Sequence, residues 1–498
     1  MNALVELKSE LRAISDLHAA AMVLEWDQNT YMPPGGAEAR GRQIALLSRL
    51  AHERRSADRM GKLLGELSTV ADQDSTDGAL VRRAHREWER ATKVPGELMS
   101  ELRNHTSRLY SVWAEARKAS EFAKVMPLLE KNVELSRRYA EHFPVDHPID
   151  AFIDEHDPGM NAASITALFA ELRAELVPIA EKILAQPVPD RTILDADYPE
   201  AKQLAFAAHV SAALGYDFER GRQDLTHHPF MIRFSSGDVR ITTRVDPRDF
   251  SSCLFGTIHE TGHALYEQNI AVALDGTPLG SGTSTGVHES QSRLWENLVG
   301  RSRPFWEHFF PQIQEVFPEP LGGVDLDTFH RAVNTVERGL VRVEADEVTY
   351  NLHVMLRFDL ERQMLDGTLP VAELPDAWDE RMEADLGVRP PTDKMGCLQD
   401  VHWYCMPIGG GFQGYTLGNL MSAQFFAAAQ KALPDLDAQI GRGELAPLRE
   451  WLTENLYRHG ATYLPDELVK RATGEALSPQ PFLAYLREKF GALYGVEL

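Results

Sequence analysis

The sequence predicts a mainly α-helical protein with one small β-hairpin. Two observations carry this. Apolar residues recur at steps of three and four along most of the 498 residues, as they do on one face of a helix. Only one stretch, Phe230 to Val245, turns instead to β-branched and aromatic runs on either side of a tight turn.

Taken in order, Leu4, Leu7, Leu11, Ile14 and Leu17 share one face of a first helix. It stops at Tyr31-Met32-Pro33-Pro34-Gly35-Gly36, a run that no helix or strand interior carries. Helical patterns resume over Ala37–Leu50, Asp77–Arg117 and Phe122–His142, so the N-terminal helical part extends to about residue 145. The stretch Phe143–Gly159 holds Pro144, Pro148, Pro158 and several acids. It reads as a loop, either a lobe boundary or a surface connection. Residues 162–186 return to helix, Pro187-Val188-Pro189-Asp190 opens another loop, and 199–214 is helical. Phe230–Phe234 and Val239–Val245 then form the hairpin around Ser235-Ser236-Gly237-Asp238. From about residue 250 helical patterns continue to the end, with no internal repeat.

A chain of this length exceeds what one core usually serves, which predicts two lobes and a cleft. The scatter of the motifs below favours one body spanning 1–498 over two domains in series. The net charge of −23 argues against nucleic acid and against an anionic membrane surface, since both need a basic field. No run of about 18 apolar residues is present, so no transmembrane helix is expected. Cys253, Cys397 and Cys405 are too scattered for a disulfide framework or a Cys-rich zinc site. The start, Met1-Asn2-Ala3-Leu4-Val5-Glu6-Leu7-Lys8, lacks the apolar core of a signal peptide, and a cytoplasmic location is expected.

The chemistry centres on His259-Glu260-Thr261-Gly262-His263, an H-E-x-x-H run. On a helix, residues four apart lie one above the other, so His259 and His263 can share one metal ion. Glu260 is rotated off that face, where it suits a general base better than a ligand. Zinc in such a site acidifies a water and polarises a carbonyl, while the carboxylate moves the proton. Leu254, Phe255, Ile258 and Leu265 make this helix apolar, and burying two His and a Glu without partners would be costly. A third ligand is required. Tyr266 and Asn269 stand where a metzincin needs Gly and His, so that class is excluded. Glu289 and Glu296, seven apart near one face of the following helix, are both candidates by chemistry, with spacing giving only a modest preference for Glu289.

Several separated segments together resemble the carboxypeptidase Taq family of metallocarboxypeptidases. They include Trp26-Asp27-Gln28, Tyr31 to Arg40, His228-Pro229-Phe230, Asp238-Val239-Arg240-Ile241-Thr242 and the H-E-x-x-H run. Further along come His288-Glu289-Ser290-Gln291, Val341 to Asp346, Gly396 to Trp403 and Tyr415 to Leu420. The resemblance covers about residue 20 to Tyr485. It implies a helical fold with a deep groove and the metal at its base. It also implies removal of single amino acids from peptide C-termini, a homodimer, and zinc or cobalt. It selects Glu289 as the third ligand.

A carboxypeptidase must grip a free carboxylate, which Arg does best. The resemblance makes Arg342, in a helical run from Val341 to Met355, the expected anchor; its alternative is a helix salt bridge to Asp346. His402 and Tyr415 are candidates for contacting substrate or a developing oxyanion. Asp400 is a candidate to orient a ligand histidine, and His228 to face the groove. The hairpin edge could bind an extended peptide through its main chain, with Asp238 and Arg240 pairing locally. Where the family carries an aromatic loop, this chain has Tyr404-Cys405-Met406-Pro407-Ile408-Gly409-Gly410-Gly411-Phe412-Gln413-Gly414, from which a more mobile loop is expected. The competing readings are a helical metallo-oligopeptidase cutting internal bonds and a non-catalytic peptide-binding protein.

Overall fold

Twenty-two α-helices and one three-stranded sheet make up the described residues, 3–69, 72 and 75–498, of the computed structural model. No described helix is long and apolar enough to cross a membrane. The chain divides into two compact units, each assembled from three segments. The first holds Met1–Thr92, Asp190–Val333 and Phe425–Ala476; the second holds Lys93–Pro189, Asn334–Gln424 and Leu477–Leu498.

The first division falls at Thr92/Lys93 rather than near residue 145. It coincides with a break in the helix expected over Asp77–Arg117, which is two helices, Thr76–Lys93 and Gly96–Ala119. Pro95 separates them, because a proline disfavours the helical conformation of the residue before it.

In the first unit, Ala3–Thr30 and Ala37–Arg55 pack together across the Pro-Pro-Gly-Gly reversal, with Leu7, Leu11 and Ile14 buried. A further helix, Asp58–Ser68, buries Met60, Leu63, Leu64 and Leu67. The sheet contains β1 (Gln223–Leu225), β2 (Met231–Ser235) and β3 (Asp238–Thr243), in the order β1-β3-β2. The hairpin β2–β3 is antiparallel as expected, and β1 adds parallel to β3. At three residues, β1 is too short to announce itself by alternation. On β3, Val239 and Ile241 point into the core, while Asp238 and Arg240 pair with each other at 2.8 Å. Against β2 and β3 lies the helix Phe250–Gln268, buried along almost its whole length.

The second unit is built around the buried helix Tyr350–Asp366, packed by Met126–Ala140, Ala162–Leu184 and Leu374–Leu386. Two expectations need correction. The helix begins at Tyr350 and not at Val341: Arg342–Glu344 is a single 3₁₀ turn. The Asp346 carboxylate instead accepts the Val348 and Thr349 N–H groups just before the helix, at 2.9 and 3.0 Å. The loop Phe143–Gly159 also contains a short helix, Asp150–His156, whose Ala151, Phe152 and Ile153 are buried.

That short helix explains the glycine run expected to be mobile. Gly409 and Gly410 are buried with φ of +108° and +76°. A Cβ on Gly410 would stand 2.5 Å from Cβ of Phe152. The glycines therefore let the loop backbone lie directly on the Asp150–His156 helix, and Ile408 N–H donates to Ser136 Oγ at 2.9 Å.

Candidate metal centre

Helix Phe250–Gln268 begins at Asp249, whose carboxylate accepts the Ser251 N–H at 2.9 Å. Helical spacing places His259 and His263 one turn apart, their ring centroids separated by 5.0 Å. Helix Thr285–Arg293, capped by Ser284, brings Glu289 to them. Gly262 makes the approach possible, since a Cβ there would sit 2.5 Å from the Gln291 carbonyl oxygen. Oε2 of Glu289 lies 3.7 Å from Nε2 of His259 and 3.5 Å from Nε2 of His263.

The other ring nitrogens face outward to polar partners. Nδ1 of His259 bonds Glu296 Oε2 at 2.8 Å, and Nδ1 of His263 bonds His288 Nδ1 at 2.7 Å. Glu296 lies where the helix widens into a π segment, Leu294–Val299, a distortion common at functional sites. Arg293 holds both carboxylates in place: its Nε donates to Glu289 Oε1 at 2.7 Å, and its Nη1 lies 3.4 Å from Glu296 Oε2. Burial alone would neutralise Glu289, but Arg293 and the two imidazoles overcome it and hold its carboxyl well below the usual range.

These residues fit a divalent metal. One donor atom from each of His259, His263 and Glu289 lies within 4.8 Å of the others. Ligand atoms around a tetrahedral zinc stand about 3.3 Å apart, close to the 3.5 and 3.7 Å seen. With both Nδ1 atoms engaged, the two Nε2 lone pairs are free to point inward.

Glu260 is buried beside this triad and is not part of it. Burial pushes its carboxyl up to about 7 against the opposing pull of His259; Glu289 and Glu296 add to the rise, and the Met231 N–H of β2 partly offsets it.

In the second unit the structure gathers Arg342, His402 and Tyr415. Asp400 Oδ2 accepts Nε of Arg342 at 2.8 Å and Nε of Arg357 at 2.9 Å, while its Oδ1 accepts Nδ1 of His402 at 2.6 Å. Asp400 therefore orients His402. Burial opposes its ionisation, but Arg357, His402 and Arg342 hold it well below the ordinary carboxyl range. Nε2 of His402 lies 3.4 Å from the Tyr415 hydroxyl, and the Arg342 guanidinium stands 5.0 Å from the Tyr415 ring centroid. Two guanidiniums thus face one carboxylate, and Arg342 pairs with Asp400 rather than with Asp346. His228 is exposed between β1 and β2, in the first unit.

Sequence reasoning missed the contacts made by Gly262, Arg293, His288 and Arg357. A glycine in mid-helix was the available signal for Gly262, and the i,i+4 spacing to Glu289 was the signal for Arg293.

A helical body holding H-E-x-x-H and a glutamate from the next helix defines a metallohydrolase. Residues 6–490 match the family described as Carboxypeptidase Taq (M32) metallopeptidase. Thermostable carboxypeptidase 1 of Thermus thermophilus is 44% identical over 506 residues, covering 99% of this chain and 98% of that protein. Carboxypeptidase 1 of Bacillus subtilis is 38% identical over 487 residues, covering 97% of each. The crystal structure of the M32 carboxypeptidase from Deinococcus radiodurans R1 matches with a TM-score of 0.97 at 50% identity, covering 100% of both chains. The chain belongs to the carboxypeptidase Taq family and is a metallocarboxypeptidase, a hydrolase of peptide bonds.

Proposed function

We propose that the chain removes single amino acids from peptide C-termini, with zinc or cobalt held by His259, His263 and Glu289. The convergence of two Nε2 atoms and one carboxylate oxygen beside Glu260 carries the reading. The bound metal supplies Lewis acidity and lowers the pKa of the attacking water. Glu260 takes the proton of that water on its carboxylate and returns it to the leaving amine. Met231 N–H and the packing of β2 hold that carboxylate in place. Arg342 grips the free C-terminal carboxylate, drawn by the charge that Asp400 leaves unbalanced between two guanidiniums. His402, turned by Asp400, and Tyr415 contact the substrate carbonyl or its developing oxyanion. His228 contributes to peptide binding from the β1–β2 connection.

The protein works, on this reading, as one two-lobed metallocarboxypeptidase domain of residues 1–498, as a homodimer, in the cytoplasm. Sedimentation tests the dimer, and metal analysis of protein purified without added metal tests zinc.

The deciding experiment pairs a peptide with its C-terminally amidated twin. Stepwise loss of C-terminal residues from the free acid alone is expected. Equal internal cleavage of both would favour the metallo-oligopeptidase reading. Unchanged behaviour after chelation and in Glu260→Gln would favour a non-catalytic binding protein.

A further inference from the structure

Beyond the three ligands, a chain of polar side chains leads away from the centre. Nδ1 of His263 meets Nδ1 of His288 at 2.7 Å, and Nε2 of His288 meets Oε1 of Glu267 at 2.9 Å. Oε1 of Glu267 also accepts the Gly282 N–H at 2.9 Å, and its Oε2 lies 3.0 Å from Nε of Arg233 on β2. Arg233 in turn pairs with Asp275, whose carboxylate accepts both the N–H and the hydroxyl of Ser236 in the hairpin turn, at 3.3 and 3.0 Å. The Glu267 side chain is only 3% exposed. The His288 ring is wedged against Tyr266, their centroids 5.3 Å apart, and a Cβ on Gly282 would stand 2.6 Å from its Cδ2. Packing therefore leaves the imidazole little freedom to rotate.

Two imidazole nitrogens facing each other at hydrogen-bond distance need one proton between them. Glu267 accepts the Gly282 N–H at Oε1 and faces the Arg233 guanidinium with Oε2, so it stands as an acceptor and Nε2 of His288 donates to it. A ring whose proton sits on Nε2 accepts at Nδ1, so Nδ1 of His263 donates across the 2.7 Å contact. That leaves Nε2 of His263 unprotonated, the form a metal ligand requires. The geometry points to His288 and Glu267 as positioning residues that lock His263 in its ligand tautomer, with Arg233 and Asp275 tying this lock to the hairpin. His259 has the simpler arrangement, a single carboxylate from Glu296 on its Nδ1.

This inference rests on the metal-centre reading, and the test separates the two. Zn²⁺ affinity is measured by competition with a chromophoric chelator on the full chain, alongside the melting temperature, for the parent, His288→Leu and His288→Gln. The parent is expected to bind. His288→Leu, with no acceptor for the His263 proton, is expected to bind roughly 10–100-fold more weakly. His288→Gln keeps an acceptor oxygen and a donor amide and is expected to stay within about threefold of the parent. A neutron structure of the zinc-loaded parent needs no variant: deuterons are expected on Nδ1 of His263 and Nε2 of His288. A parent that takes up no zinc overturns the metal centre and this inference with it. If the parent binds, the inference alone is overturned by a His288→Leu that binds as tightly, by equal losses in Leu and Gln, or by a deuteron on Nδ1 of His288.

Discussion

Gly262 lies against the backbone of Gln291 so closely that a Cβ at 262 would stand 2.5 Å from the Gln291 carbonyl oxygen. The contact sits between the two histidines of H-E-x-x-H and sets how near Glu289 comes to them. Gly262→Ala must push the two helices apart, because the obstacle is backbone and cannot rotate away. Destabilisation of about 1–3 kcal/mol is expected, with metal lost on dialysis. Calorimetry and metal analysis check both, and a variant with the parent's metal content would show that the helices can yield without disturbing the ligands.

Glu289 and Glu296 share a helix and have different expected phenotypes. Glu289→Ala removes the oxygen that faces both Nε2 atoms and should abolish stoichiometric metal binding. Glu296→Ala removes only the acceptor on Nδ1 of His259 and should leave one metal per chain, bound about 10–100-fold more weakly. Chelator competition distinguishes the two, and the reverse order would exchange their assignments.

Arg342→Ala leaves Asp400 paired with Arg357 and His402, so the fold should survive, as a melting curve will report. Loss of a charge-assisted grip worth about 2 kcal/mol should lower kcat/KM for free-acid peptides about 30-fold, mainly through KM. Kinetics close to those of the parent would move the carboxylate anchor elsewhere.

Glu361 gives a pH prediction independent of the metal. Its side chain is buried beneath the Trp403 indole, whose Nε1 donates to Oε1 at 2.9 Å. Burial pushes its carboxyl up to about 8. The folded chain therefore holds a proton that the unfolded chain releases at about 4.3. The stability this contributes is complete below that value and is lost as pH rises through about 8, amounting to about 2 kcal/mol between pH 6 and pH 8. Glu361→Gln should flatten that share of the melting-temperature profile. Parallel profiles for parent and variant would place Glu361 as an ionised group already at neutral pH.

Much of the fold was legible because helix and hairpin signals are local. The three-and-four spacing of Leu7, Leu11 and Ile14, and the switch to Phe230–Phe234 and Val239–Val245, depend only on near neighbours. Signals that failed were short or depended on distant chain. The three residues of β1 form a strand only because β3 offers them an edge. Arg342 lies outside the helix once Asp346 satisfies the N–H groups at its start. The glycine run read as mobile because Phe152, the side chain that fills the space beside it, is more than 250 residues away in sequence.

The site divides in the same way. By itself the sequence determined that His259 and His263 share a helix face and that Glu260 stands off it, since 3.6 residues per turn requires both. It also carried, through its scattered motifs, the resemblance that singled out Glu289. Spacing alone gave only a modest preference for Glu289 over Glu296, because residues seven apart point nearly the same way. Only the tertiary structure decided between their positions. Gly262 lets the second helix close on the first, which sets Glu289 against Nε2, while the π turn carries Glu296 to Nδ1 of the same imidazole. Helix geometry is local, and the approach of one helix to another is not.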